Sequence, residues 1–511
     1  MKKYIVFAFA ALSLAMTSCT EDIMDNINKR PDNPSDELIS PSLQITDGIM
    51  ATGFTTSSGV MAFYASSYTE QFVGVGGNQL MNAELRNVSQ TASSSTFNNE
   101  WNGTYSNILN LKLALAKAQP GGKYENEVDV RGMIKMMLAL NYGIMTDMFG
   151  DIPCSEAGVK GIPQPKVDKQ EAIYTEIFTL IDGALADFKE AQEKSIAYAG
   201  SQDLLYKGDV KKWEAFAYAL KARYKLHLVK VNSAAAGEAL AAAEKAKELG
   251  FEGADITGFT SYASSASNPW AAFWNDRNYN AASKTVDDLL AERNDPRRAV
   301  YSAAWEYDGK VLATAVATPG KEEDARLVYG TSEGEGFAVP AWLNTYTYPK
   351  AESASIHLLS KSALYFILAE LKVRNSAEYK EDLTTAVEAS FADYGQFGIE
   401  VTGTAADYVA SLDSKLSANA LKEVMIQKYL SQCRDEQVET YNDLRRMKAL
   451  GEADSYVAMT NPKNTQSGEN RWPVRLPYGN SDVIANPNVK ALYGDGMYVF
   501  SENIWWAGGT R

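Results

Sequence analysis

Apolar side chains recur at helical spacing through most of this chain. Between Asn99 and Ala118, the residues Trp101, Tyr105, Ile108, Leu109, Leu111 and Leu115 fall largely on one face, which predicts an amphipathic helix. From Val128 to Met148 the chain is apolar nearly all round (Met133, Ile134, Met136, Met137, Leu138, Leu140, Ile144), the pattern of a buried helix. The amphipathic pattern returns over Gln170–Phe188 (Ile173, Ile177, Leu180, Ile181, Leu185) and over Lys212–Val229 (Trp213, Phe216, Leu220, Tyr224, Leu228). An Ala-, Glu- and Lys-rich helix is expected over Ala234–Leu249, closed by Gly250. Further helices are expected over Lys361–Leu371, Asn419–Gln432 and Asp435–Leu450. Successive helices joined by short turns point to stacked helix pairs of the tetratricopeptide kind. The defined residue pattern of that repeat, with its period of about 34 residues, does not align here.

Two stretches break the pattern. Residues 251–360 are rich in Gly, Ser, Thr, turns and aromatics, and residues 451–511 are loop-like and end near Trp505 and Trp506. Long loops in compact proteins usually carry function. The expected architecture is therefore mostly α: a tetratricopeptide-like scaffold bearing a loop-rich lobe.

The first residues have a different character. Lys2 and Lys3 precede a short apolar run, Tyr4–Met16, which is too short for a membrane span of about 20 residues. A secretory signal over residues 1–18 fits, and Met16-Thr17-Ser18-Cys19 resembles a bacterial lipobox. By that resemblance Cys19 becomes the lipidated N-terminus. Glu21 and Asp22 resemble the surface-export signal of Bacteroidetes lipoproteins. Residues 19–41, with Pro31 and Pro34, read as a tether, and residues 42–511 as the folded domain.

Charge and cysteine content narrow the function classes. The 511 residues carry a net charge of −15, and loss of Lys2 and Lys3 makes the mature chain more acidic. There is no dense basic stripe, so nucleic-acid binding is disfavoured. After Cys19, only Cys154 and Cys433 remain; they read as two separately buried thiols rather than a disulfide or metal pair.

Several motifs, in order, resemble the SusD/RagB family of surface lipoproteins. The nearest is Thr146-Asp147-Met148-Phe149-Gly150-Asp151-Ile152-Pro153, running on to Ser155-Glu156-Ala157, with Cys154 where the family usually has Tyr. It is followed by Pro165–Gln170, Asp203–Trp213, Leu220–Arg223, Asn294–Arg297, Phe366–Glu370, Gln427–Leu430, Arg445-Arg446 and Pro473–Leu476. The resemblance implies the same helix-pair scaffold, and a SusC-type TonB-dependent outer-membrane transporter as partner. Most motif residues read as structural. Gly150 permits positive φ, Pro153 stops the helix, Asp209 caps the next one, and Arg445-Arg446 pair with nearby carboxylates.

Family ligand sites lie in the loop-rich lobe and in loops before the first long helix pair. Sugars need exposed aromatic platforms beside polar groups. Trp270, Trp274, Asn275, Arg277 and Tyr279 offer both within one loop. Tyr68, Gln71, Asn78 and Arg86 provide polar partners in an earlier window, and Trp342 and Tyr346, with Asn344, form a third cluster. Trp101, Trp505 and Trp506 read as packing residues.

Enzymatic signals are weak. Gly330-Thr331-Ser332-Glu333-Gly334 matches G-x-S-x-G, but Gly336 and Pro340 follow where a helix is required. Gly74-Val75-Gly76-Gly77 fails the dinucleotide motif at Gln79. His227 reads as a packed histidine. No cofactor or metal is expected. The sequence reading is a non-enzymatic surface protein that captures oligosaccharide for a transporter. A RagB-type peptide-binding protein and a two-carboxylate surface glycosidase remain as alternatives.

Overall fold

The computed structural model describes residues 38–74, 79–260, 267–277, 280–302, 305–307, 310–312, 316–317, 350–459 and 471–511. Cys19 and the expected signal and tether lie outside them, apart from residues 38–41. The account below concerns the compact unit Pro41–Arg511.

The chain opens with α1 (Pro41–Ala51), which widens into a π-helical turn over Thr52–Ser57, followed by α2 (Val60–Tyr68). A short strand β1 (Phe72–Gly74) and α3 (Gln79–Glu84) precede the long helices α4 (Asn98–Ala118), α5 (Val128–Phe149), α6 (Gln170–Lys194), α7 (Val210–His227) and α8 (Ala235–Glu248). Helix α4 packs on α1, and each of α5 to α8 packs against the helix before it. Beyond β2 (Ala254–Ile256) the chain forms α9 (Pro269–Arg277), β3 (Asn280–Ser283) and α10 (Lys284–Glu292). It returns through β4 (Ile356–Leu359), antiparallel to β2, into α11 (Lys361–Arg374), α12 (Lys380–Gly395), α13 (Ala420–Gln432) and α14 (Gln437–Ala449). Helix α11 rests on α8, α12 and α13, while α14 rests on α2.

Helix α5 is the axis of the scaffold, buried at nearly every position as its all-round apolar sequence requires. Two glycines set its neighbours' distance. A Cβ on Gly132 would meet Phe188 of α6 at 2.5 Å, and one on Gly143 would meet the Tyr224 hydroxyl of α7 at 2.0 Å. Gly150 ends α5 at φ 78°, and the Arg475 guanidinium occupies the space a side chain there would need. Asp209 caps α7 by accepting from Lys211 N at 3.0 Å. The C-terminal segment closes over this end. Leu476 N donates to Met148 O at 2.7 Å, and Trp506 Nε1 donates to Asp147 Oδ1 at 2.8 Å.

The expected helices all form, with shifted ends. Helix α6 runs past Phe188 to Lys194, where the polar extension is laced by Lys194–Glu190 and Lys189–Glu193 pairs. Helices α2 and α12 were not expected, and neither were α9 and α10 inside the loop-rich stretch. Cys154 and Cys433 are separate, buried and free, as read from sequence. Trp101 and Trp506 are core residues, also as read. Among the described residues no helix is long and apolar enough to cross a membrane.

Candidate functional site

Strand pairing joins two of the three windows that the sequence singled out. Strand β1 runs antiparallel to β3, with Phe72 opposite Ala282 and Gly74 opposite Asn280. Phe63 of α2 reaches across to α9, stacking on Phe273 at 4.1 Å and meeting Trp270 edge-on at 4.4 Å. Phe72 packs on Trp270 at 5.7 Å. The α2–β1 and α9–β3 segments are therefore one structural unit.

Individual roles differ from the sequence reading. Trp270 is 3% exposed, so it is a packing anchor and not an exposed platform. Tyr68, Gln71 and Arg86 are also buried, which corrects the expectation of a solvent-facing polar rim. Gln71 is committed to the scaffold: its Nε2 donates to Thr440 Oγ1 at 3.0 Å and to Tyr429 O at 3.2 Å. The expected binding loop before α4 contains α2 and α3, and α2 is buried at nearly every position. Trp274, Asn275 and Arg277 lie on α9, and their side chains fall outside the described structure, as do Asn78, Tyr279, Trp342 and Tyr346 altogether. The G-x-S-x-G segment lies there too.

A run of aromatic and cationic groups extends from this unit toward the surface. The Arg86 guanidinium sits 5.3 Å from the Tyr68 ring, Tyr68 is 6.0 Å from Tyr441, and Tyr441 is 5.1 Å from Trp472. The Lys448 ammonium lies 4.0 Å over the Trp472 ring. Trp472 is half-buried, anchored by its Nε1 donating to Tyr68 O at 3.0 Å, and Lys448 is exposed. Protein crowding around the Lys448 ammonium, with Arg86 nearby, lowers its pKa to about 8. Sequence reasoning passed over Trp472 and Lys448. The only signal was a loop Arg471-Trp472-Pro473 next to a helix carrying Lys448.

The scaffold also contains a buried charge cluster. His227 is hydrogen-bonded by Nε2 to Glu439 at 3.0 Å and faces Asp147 across Nδ1 at 3.2 Å. Burial alone would lower its pKa, but the two carboxylates outweigh this and hold it up to about 9. Ligand atoms of the three residues lie within 4.8 Å of one another. A protonated imidazole donating from both nitrogens satisfies both carboxylates, so this is a charge bridge with the geometry of a structural clamp. His357 repeats the arrangement between Asp255 and Asp393, at 2.5 and 3.2 Å. Both histidines of the chain are thus engaged in ion bridges.

Residues 50–479 match the family described as starch-binding and associating with the outer membrane. A SusD/RagB family protein from Bacteroides thetaiotaomicron is 34% identical, covering 93% of this chain and 100% of that one, with a TM-score of 0.79. A chitin-binding SusD homologue from Flavobacterium johnsoniae is 18% identical over 91% of this chain and 98% of that one, at a TM-score of 0.67. At that identity the likeness is one of fold. A SusD homologue from Bacteroides fragilis is 18% identical over 92% of this chain and 100% of that one, at a TM-score of 0.66. No curated protein matches the sequence.

Proposed function

The chain belongs to the SusD-like family, and on that premise we propose that it captures oligosaccharides at the cell surface and delivers them to a SusC-type TonB-dependent transporter. The observation that carries this reading is the match of residues 50–479 to a starch-binding, outer-membrane-associated family. A chitin-binding relative of the same fold supports a saccharide ligand. In this reading Cys19 bears the lipid, residues 20–41 act as a tether, and the folded unit serves as a lid that opens, loads ligand and closes on the barrel.

Binding is non-covalent. Aromatic faces on the α9 side, Trp274 foremost, with Asn275, Arg277 and Tyr279, stack against sugar C–H surfaces and take up hydroxyl hydrogen bonds. Buried Trp270 and Phe63 hold α9 against α2, so the recognition segment sits on a fixed support. Both histidines are locked in ion bridges, which removes them as general bases. The protein is accordingly read as a binder and not an enzyme.

Native mass spectrometry of the mature protein, mixed with pooled oligosaccharides and oligopeptides, tests the reading. An intact sugar adduct is expected. A peptide adduct in its place, or cleaved sugar products, would overturn it.

A further inference from the structure

Most buried guanidinium groups in this protein face a carboxylate, although Arg475 donates to the carbonyls of Phe149 and Arg511 instead. Arg446 pairs with Glu370, Arg297 with Asp295, Arg293 with Glu423 and Arg131 with Asp187. The groups around Tyr441 and Trp472 depart from that rule. Arg86 is 1% exposed and, among the described residues, donates only to the carbonyls of Ala83 and Glu84, at 3.1 and 2.7 Å. Among the described residues, its Nε and the buried Tyr68 hydroxyl have no hydrogen-bond partner. Arg445 stacks 4.2 Å from the Tyr441 ring and donates to the carbonyls of Asp147 and Val474 and to Asn442. At the surface, Lys448 forms no ion pair among the described residues, although the chain as a whole carries a net charge of −15.

Burial costs a charge dearly unless something compensates it. Three cations gathered without an ion-paired acid therefore leave a local positive field, which the aromatic faces they lie over offset only in part. The nearest acids act at longer range: Glu84 and Glu70 on Arg86, and Asp147 and Glu439 on Arg445. All four are engaged elsewhere: Glu84 accepts from Gly74 N, Glu70 from Thr285, and Asp147 and Glu439 hold His227. The one exposed member, Lys448, rests on an indole, an interaction weaker than a charge-assisted hydrogen bond to an anion. An arriving carboxylate or sulfate gains more from the ammonium than the indole loses.

We propose that Lys448 and Trp472, backed by Arg86, form an anion-recognition subsite that takes the acidic group of a charged sugar residue while its ring stacks on the indole. The proposal rests on the saccharide-capture reading and narrows the ligand class to oligosaccharides carrying carboxylate or sulfate. The aromatic face beside the cation is what favours a sugar over an acidic peptide, which has no flat C–H surface to offer it.

Calorimetric titration of the detergent-solubilised mature protein tests this with four probes: oligogalacturonate, a heparin-derived sulfated oligosaccharide, a neutral malto-oligosaccharide and oligoglutamate. At least one acidic sugar is expected to bind about tenfold more tightly than the neutral one, with affinity falling as salt rises. The two acidic sugars tell carboxylate from sulfate. Lys448→Glu should abolish the preference at an unchanged melting temperature, and Lys448→Arg should retain it. Equal affinity for acidic and neutral sugars, or an unaltered preference in Lys448→Glu, overturns the subsite but leaves saccharide capture standing. Absence of binding to either acidic sugar also overturns the subsite. Binding of oligoglutamate with no sugar bound overturns both.

Discussion

The Nε2 of His227 lies 3.0 Å from Oε2 of Glu439, across 212 positions of chain. With Asp147 on the other side of the ring, this contact ties α5, α7 and α14 into one block. The His227 pKa is held near 9 in the folded state, against about 6.5 unfolded. The bridge therefore contributes its full stability below about pH 6.5 and loses it as pH rises through 9. His357 is raised in the same direction by Asp393 and Asp255, against the effect of its burial. Melting temperature should fall between pH 6.5 and 9.5, and the fall should flatten in a His227→Gln/His357→Gln double variant. A melting temperature that rises over this range would contradict the assignment of charged imidazoles.

Glu370 takes two hydrogen bonds from Arg446, at 2.6 and 2.7 Å, and one from Arg374 at 3.0 Å. Replacing it with Gln leaves the fully buried Arg446 with Asp443, at 2.7 Å, as its remaining counter-charge. The expected cost is about 1.5–3 kcal/mol, measured by chemical denaturation. An unaltered denaturation midpoint would show the pair to be dispensable.

Gly143 has no room for a side chain, because Tyr224 crosses α5 there. Gly143→Ala should push α7 away and destabilise the protein by about 1–3 kcal/mol. The double variant Gly143→Ala/Tyr224→Phe should recover little, since the ring itself makes the close approach. Full recovery would place the strain in the hydroxyl alone.

Burial pushes the Cys154 thiol up to about 12, and the Cys433 thiol is raised further by the same cause. Native protein should react slowly with a thiol reagent at pH 8, and both thiols should react once it is unfolded. Rapid native labelling of either would show that its surroundings open to solvent.

The scaffold was legible because its signal is local. The all-round apolar run at Val128–Met148 and the stripes around Trp213 and Trp101 each identify a helix without reference to the rest of the fold. The candidate site was only half legible. Sequence placed Tyr68 and Trp270 in the right neighbourhood, and the β1–β3 pairing brings their segments together. It could not tell that both side chains point inward, because burial there is decided by partners far away in sequence. Phe63 covers Trp270, and Tyr441 packs beside Tyr68. Helix α9 hid among aromatic residues whose helical propensities are weak, whereas α10, capped by Ser283 and apolar at Val286, Leu289 and Leu290, carried a readable local signal that the loop-rich surroundings masked. Lys448 and Trp472 were invisible for a related reason: nothing local marks a cation as lacking an acid.

Oligosaccharide titration of the wild-type protein against Trp274→Ala tests the central claim most directly. The account predicts measurable saccharide affinity in the wild type and a loss of about tenfold or more in the variant, with the melting temperature unchanged. Equal affinity in the two proteins would contradict the site, and the absence of any saccharide binding by the wild type would contradict the function.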